Sequence, residues 1–174
     1  RAFTFEQHSN VARAHPVAQA LTATIRAHRL SAAHFTRLID SRERDLDPAP
    51  PATRAALEDY AEGSSARLIR LALEVLGAAT PEAEAAATEI GIAYALTGLL
   101  RAMPAHAGMG RLMIPGDVAA EAGLDPAGHA TAPATPALRR AVEIIARIAS
   151  GHLAAARDVR AALPKRALPA LLPA

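Results

Sequence analysis

The sequence predicts an all-α fold, and three observations carry that expectation. Its 174 residues are 51% hydrophobic but only 3% aromatic. The apolar residues are mostly alanine and leucine, which favour helices, rather than the aromatic and β-branched types that fill strands. No segment alternates apolar and polar residues with the two-residue period of a strand. Helical spacing recurs instead, most clearly at Leu138, Val142, Ile145, Ala149, His152, Ala156, Val159 and Leu163. These positions step by alternating fours and threes and so form one stripe along a helix.

Proline and glycine divide the chain into elements. Val17, Leu21 and Ile25 predict a helix over 16–29, and Ser31 is a suitable N-cap for a second over 32–46. The 47–51 stretch, Asp-Pro-Ala-Pro-Pro, is a stiff break. A third helix is expected over 53–76, interrupted at Gly63 and ended by Gly77. Thr80-Pro81-Glu82 supplies a cap, a proline for the first turn and an acid at the positive helix end. The fourth helix it starts should reach residue 102, where Pro104 stops it. A glycine-rich loop over 104–116, a short helix over 117–122 and a linker over 125–135 follow. Thr135-Pro136 opens the last long helix, which ends before Pro164, and the tail to Ala174 reads as short helix or coil.

A chain of this length suits one domain over 1–174 with a core of its own. It has no cysteine, which excludes disulfides and thiolate metal sites. The net charge is only +2 and the charges are mixed, so nucleic acid is not expected as a partner. The longest apolar run, 90–100, meets Arg101 and is too short to span a bilayer. The expectation is a cytoplasmic protein for which peripheral membrane contact stays open.

General catalytic patterns are missing. Gly108-Met109-Gly110 is too short for a phosphate loop, and the seven histidines are scattered. His152, on the apolar stripe, reads as a core or groove histidine, with a catalytic base as the other reading. Asp40, Glu43, Asp45 and Asp47 form the densest acidic group. Magnesium is one reading, but Arg42 and Arg44 are interleaved, and a salt-bridged helix end is the plainer one. The stretch 91–115 draws the most attention. Tyr94, Thr97 or Gly98, and Arg101 share a helix face, and Arg111 follows in a glycine-flanked loop. Arg101, beside Leu99 and Leu100, is expected to be buried or half-buried against a carboxylate such as Asp40 or Asp45, or against an anion. Two arginines here could instead grip a diphosphate or carboxylate.

This stretch resembles the second signature of the squalene/phytoene synthase family, roughly G-x-A-x-Q-L-T-N-x-x-R-D-x-x-x-D followed by G-R-x-Y-L-P. The chain keeps Gly91, Ala93, Leu96, Thr97, Arg101, Gly110, Arg111 and Pro115. Leu38-Ile39-Asp40 through Leu46, and the helix with Tyr60 and Gly63, are similar to further family segments. The resemblance implies an isoprenoid-synthase bundle lacking its N-terminal helices, since the first aspartate-rich motif would lie upstream of Pro16. Residues 1–15 hold one acid, Glu6, and no aspartate. The family joins two prenyl diphosphates using Mg²⁺ held by aspartates. Here Ala95, Gly98, Ala102 and His106 stand where it has glutamine, asparagine and two aspartates.

Alanine and a lone histidine are poor Mg²⁺ ligands, because the ion takes hard oxygen donors in an octahedron. Arg101-Ala102-Met103-Pro104-Ala105-His106 resembles the branch of respiratory complex I assembly factors and their bacterial relatives. The 155–174 stretch, AARDVRAALPKRALPALLPA, is similar to that branch's closing segment. The resemblance implies a non-catalytic member with a lipid-sized apolar pocket and no metal or other cofactor. Its ligand residues would come from Tyr94, Thr97, Gly98, Arg101, His106 and Arg111. Prenyl diphosphate or another lipid, and a protein, are the partners it suggests. The alternative is an active Mg²⁺-dependent transferase of the squalene or phytoene synthase type; a helical scaffold without ligand is a third reading.

Overall fold

The computed structural model describes residues 15–125 and 135–172. The acid count over 1–15 and most of the expected linker fall outside them. Among the described residues there is no strand. α1 (Pro16–His28) and α2 (Ala32–Glu43) open the described chain. α1 buries no residue and leaves Val17 and Leu21 exposed. Ser31 takes the N-cap position of α2, but its hydroxyl makes no capping bond. Its backbone N–H donates instead to Glu74 Oε2 at 3.0 Å, so a tertiary contact fixes this end. α2 also ends earlier than expected, because Arg44–Leu46 tighten into a 3₁₀ turn ahead of the proline break.

The helix expected over 53–76 is one rod of three parts. Thr53 caps α3 (Arg54–Ala61) by accepting from Ala56 N–H at 3.2 Å. A π-turn, Glu62–Ala66, then leads into α4 (Arg67–Val75). Gly63 widens the helix rather than stopping it, at the place where α2 crosses. A Cβ at Gly63 would sit 2.9 Å from Ser41 Cβ and collide with its hydroxyl. Glu62 holds the turn by receiving Arg67 at 2.7 Å and Arg70 at 3.0 Å.

α5 (Pro81–Gly108) is the central helix, capped by Thr80, which accepts from Ala83 N–H at 3.2 Å. It runs six residues past the expected stop, with Pro104 inside it. Proline removes one helical hydrogen bond, but Pro104 is exposed, and water can reach the carbonyl left unpaired. The glycine-rich loop is correspondingly shorter and leads into α6 (Gly116–Ala122).

Thr135 caps α7 (Pro136–Asp158), accepting from Leu138 N–H at 3.1 Å. α7 ends at Asp158 rather than before Pro164. Two 3₁₀ turns, Arg160–Ala162 and Lys165–Ala167, and the short α8 (Leu168–Leu171) complete the chain. α7 lies antiparallel on α5. Ile145 faces Leu99, Leu100 and Met103 across a small void, His152 meets Glu89, and Val159 and Leu163 pack near Ala83 and Ala86.

Two apolar clusters hold the bundle. One joins α3, α5, α6 and α7 through Leu57, Leu96, Ile114, Val118 and Ile145; the other joins α4, α5 and α8 through Leu73, Ala87 and Leu171. The stripe read from sequence faces these clusters: Ile145, Ala149 and Ala156 are buried and its other members half-buried. Alanine at 83, 86 and 87, each fully buried, lets the helices approach closely. Among the described residues no helix is long and apolar enough to cross a membrane.

Candidate functional site

α5 sets the register of the candidate site. Gly91 presses against the π-turn, and a Cβ there would lie 2.6 Å from both Cβ and N of Ala66. That crossing fixes which way the helix faces. Gly91, Ile92, Ala93 and Leu96 go inward, while Tyr94, Thr97, Gly98 and Arg101 come to the surface. Tyr94 is 54% exposed. Arg101 is exposed as well, and none of its atoms forms an ion pair with a described residue. Its expected burial against Asp40 or Asp45 does not occur: Asp45 is taken by Arg42 and Tyr60 instead.

The six candidate residues are not brought to one place. Tyr94 and Thr97 line a groove of about 420 Å³. Gly98 and Arg101 lie beside and beyond it. His106 turns to the opposite side of α5, into a void of about 10 Å³ with Leu57, Met103, Met113 and Ile145. Its Nδ1 is buried without a partner, and that void is about the size of one water. Arg111 Nη2 donates to the carbonyls of Asp45 at 3.0 Å and Asp47 at 2.9 Å, while its N–H donates to the His106 carbonyl at 2.9 Å. Arg111 thus ties the loop after α5 to the 3₁₀ turn after α2.

Within the acidic group Asp45 pairs with Arg42, while the interleaved Arg44 turns to Asp59 instead. Arg42 Nη1 donates to Asp45 Oδ2 at 3.1 Å and to the Tyr60 hydroxyl at 2.7 Å, and Tyr60 donates to Asp45 Oδ1 at 2.8 Å. Burial first, then the hydrogen bond to Asp45, raise the Tyr60 phenol above its ordinary pKa, against the pull of Arg42. Asp47 Oδ1 accepts from Ala49 N–H at 2.9 Å. His152 is half-buried, with Nδ1 2.7 Å from Glu89 Oε2 and Nε2 4.0 Å from Glu58 Oε1. It links α7 to α5 and α3.

Sequence reasoning missed most of the groove. Its walls are Ile90, Ala93, Tyr94 and Thr97 from α5, Leu153, Ala156 and Arg157 from α7, then Arg160, Leu163, Leu168, Leu171 and Leu172. The leucines of the tail were the available signal, since a tail of coil has no use for four leucines, Leu163, Leu168, Leu171 and Leu172, within ten residues. The groove falls within the usual range of small-molecule sites, ~300–1,000 Å³.

Fold and groove define an all-α bundle with an open, partly apolar groove of about 420 Å³ beside its central helix. A model of the squalene/phytoene synthase family matches residues 1–174, and the chain belongs to that family. It is 34% identical to NADH dehydrogenase (ubiquinone) complex I, assembly factor 6 from Rattus norvegicus, over 90% of this chain and 47% of the relative. It is 28% identical to presqualene diphosphate synthase from Sinorhizobium fredii, over 83% of this chain and 52% of that protein. The chain spans about half the length of the curated relatives it matches. Squalene synthase from Alicyclobacillus acidocaldarius superposes with a TM-score of 0.80 at 23% identity, over 90% of this chain and 59% of that one. A ligand-bound dehydrosqualene synthase superposes with 0.76 at 21% identity, over 92% and 56%. The fold is therefore of the isoprenoid-synthase type.

The Mg²⁺ that such a fold implies does not fit the residues present. Ala102 has no ligating atom, and His106 offers one nitrogen on a face without a carboxylate partner. Among the described residues no three His, Cys, Asp or Glu side chains converge to hold a metal ion.

Proposed function

We propose that this protein is a non-catalytic member of its family that binds an apolar, lipid-like molecule in the groove along α5 and acts in an assembly-type role. The observation that carries the reading is the pair Ala102 and His106. An enzyme of this kind needs a metal to neutralise charge developing on the departing diphosphate, and neither side chain supplies a carboxylate for it. The groove is the complementary support: its largely apolar walls leave room for a ligand, whereas positions 102 and 106, which lie outside it, offer no metal-binding carboxylate. The relatives named as complex I assembly factors favour a protein client, with the lipid as cofactor or cargo.

The alternative, an active Mg²⁺-dependent prenyl transferase, draws on the likeness to presqualene diphosphate synthases and requires ligands that positions 102 and 106 lack. Equilibrium binding of farnesyl diphosphate with and without Mg²⁺ separates the two. The proposed reading expects modest binding that Mg²⁺ does not strengthen and that weakens as salt screens exposed charges. Affinity that rises tenfold or more with Mg²⁺ would support the enzyme.

A further inference from the structure

The groove is asymmetric in charge. Its walls are mostly leucine, isoleucine and alanine, with Tyr94 and Thr97 toward one end, while the other end carries Arg157 and Arg160, one helical turn apart. Both are exposed, and neither forms an ion pair with a described residue. Residues 157–166 hold four cations, Arg157, Arg160, Lys165 and Arg166, against one carboxylate, Asp158. A cation in the last turn of α7 offsets the helix dipole, which accounts for Arg157. Arg160 lies beyond the end of α7 and still faces the same channel.

Because α7 runs antiparallel to α5, this charged end lies toward the start of α5. Arg101 lies the other way, about 16 Å beyond Ile90 at 1.5 Å per residue. Tyr94 and Thr97 fall between the two ends. An anion seated where the resemblance points, near residues 101–106, would find Arg101 alone, since Arg111 is committed to backbone carbonyls.

We infer that the groove takes a single-chain anionic amphiphile whose head group sits on Arg157 and Arg160 and whose tail runs past Leu153, Ile90 and Tyr94 toward Thr97. The head would then lie at the opposite end from the diphosphate of a transferase. Two guanidinium groups suit a phosphate or carboxylate head by charge-assisted hydrogen bonds, and the leucine walls suit an unbranched or isoprenoid tail. The inference rests on the lipid-binding reading above and adds the orientation and the charge of the ligand.

Dodecyl phosphate and dodecanol are the probes, titrated by calorimetry into the 174-residue chain. The phosphate should bind at one equivalent and about tenfold more tightly than the alcohol, the order expected of charge-assisted contacts at a partly open site. Arg157→Gln combined with Arg160→Gln should erase that difference while leaving dodecanol binding in place. Thr97→Trp, which fills the tail end, should weaken both probes. Inorganic phosphate at equal concentration should not displace dodecyl phosphate. A loss of the phosphate preference in Arg101→Gln, with the double variant unaffected, would overturn the orientation. Equal affinity for the two probes would overturn the charged head while leaving the lipid-binding reading intact. Absence of binding by both probes, with the chain folded by circular dichroism, would overturn both.

Discussion

Gly91 and Gly98 stand two turns apart on α5, and the same substitution should have opposite effects at the two. At Gly91 an added methyl meets Ala66 Cβ and N at 2.6 Å, against a comfortable separation of roughly 3.5–4.0 Å. The obstacle is largely backbone, so no rotamer change relieves it, and α5 must move about 1 Å from the π-turn. Overpacking against backbone falls in the upper part of the usual range, ~2–3 kcal/mol, while alanine returns about 1 kcal/mol of helix propensity. Gly91→Ala should therefore destabilise by about 1–2 kcal/mol, or roughly 2–8 °C in Tm at this chain length. At Gly98 nothing lies within 4 Å. Gly98→Ala should stabilise by about 0.5–1 kcal/mol from the backbone entropy term alone. Urea unfolding followed by circular dichroism at 222 nm reads both. A Gly91→Ala protein as stable as the parent, or a destabilised Gly98→Ala, would refute the assigned register of α5 against the π-turn.

Further expectations follow from the same packing. Ile145, 2% exposed between α5 and α3, should cost ~2–5 kcal/mol on truncation to alanine, measured by the same unfolding assay. Arg111→Met should lose ~1–3 kcal/mol by unpairing two carbonyls, whereas exposed Arg101→Met should stay within about 0.5 kcal/mol of the parent. The Tyr60 phenol should ionise above pH 10 in a Tyr94→Phe background, read by absorbance at 295 nm. Its raised pKa confers stability that is complete below pH 10 and is lost as pH rises through the folded-state ionisation, so Tyr60→Phe should flatten the alkaline arm of the stability profile.

The helices were legible because caps and apolar periods are local. Thr80 accepts the amide expected of a cap, Thr53 and Thr135 at the starts of their helices do the same, and Ile145 lies in the core its stripe implied. What failed depended on neighbours. Pro104 is a stop signal in sequence, but its exposed position makes the lost hydrogen bond tolerable within α5. Gly63 reads as a breaker, yet it serves a close crossing with Ser41. Ser31 has the right chemistry for a cap and is used through its backbone, because Glu74 arrives from α4, 43 residues away.

The candidate site was legible as a stretch but not as an arrangement. Residues 91–115 carry both the family resemblance and its missing carboxylates. Their spacing alone does not show that His106 points away from Arg101, or that Arg111 is occupied by the carbonyls of Asp45 and Asp47. The groove escaped because two thirds of its lining residues come from 153–172, and the antiparallel register that brings them to α5 is set by contacts such as His152 with Glu89.

The central claim, a family member without the family's metal-dependent chemistry, is tested most directly by product analysis. Radiolabelled farnesyl diphosphate is incubated with the protein and millimolar Mg²⁺, and the organic extract is resolved for condensed C30 products. The account predicts none above the protein-free control, at any Mg²⁺ concentration. Formation of a presqualene- or squalene-type product that depends on both protein and Mg²⁺ would contradict it.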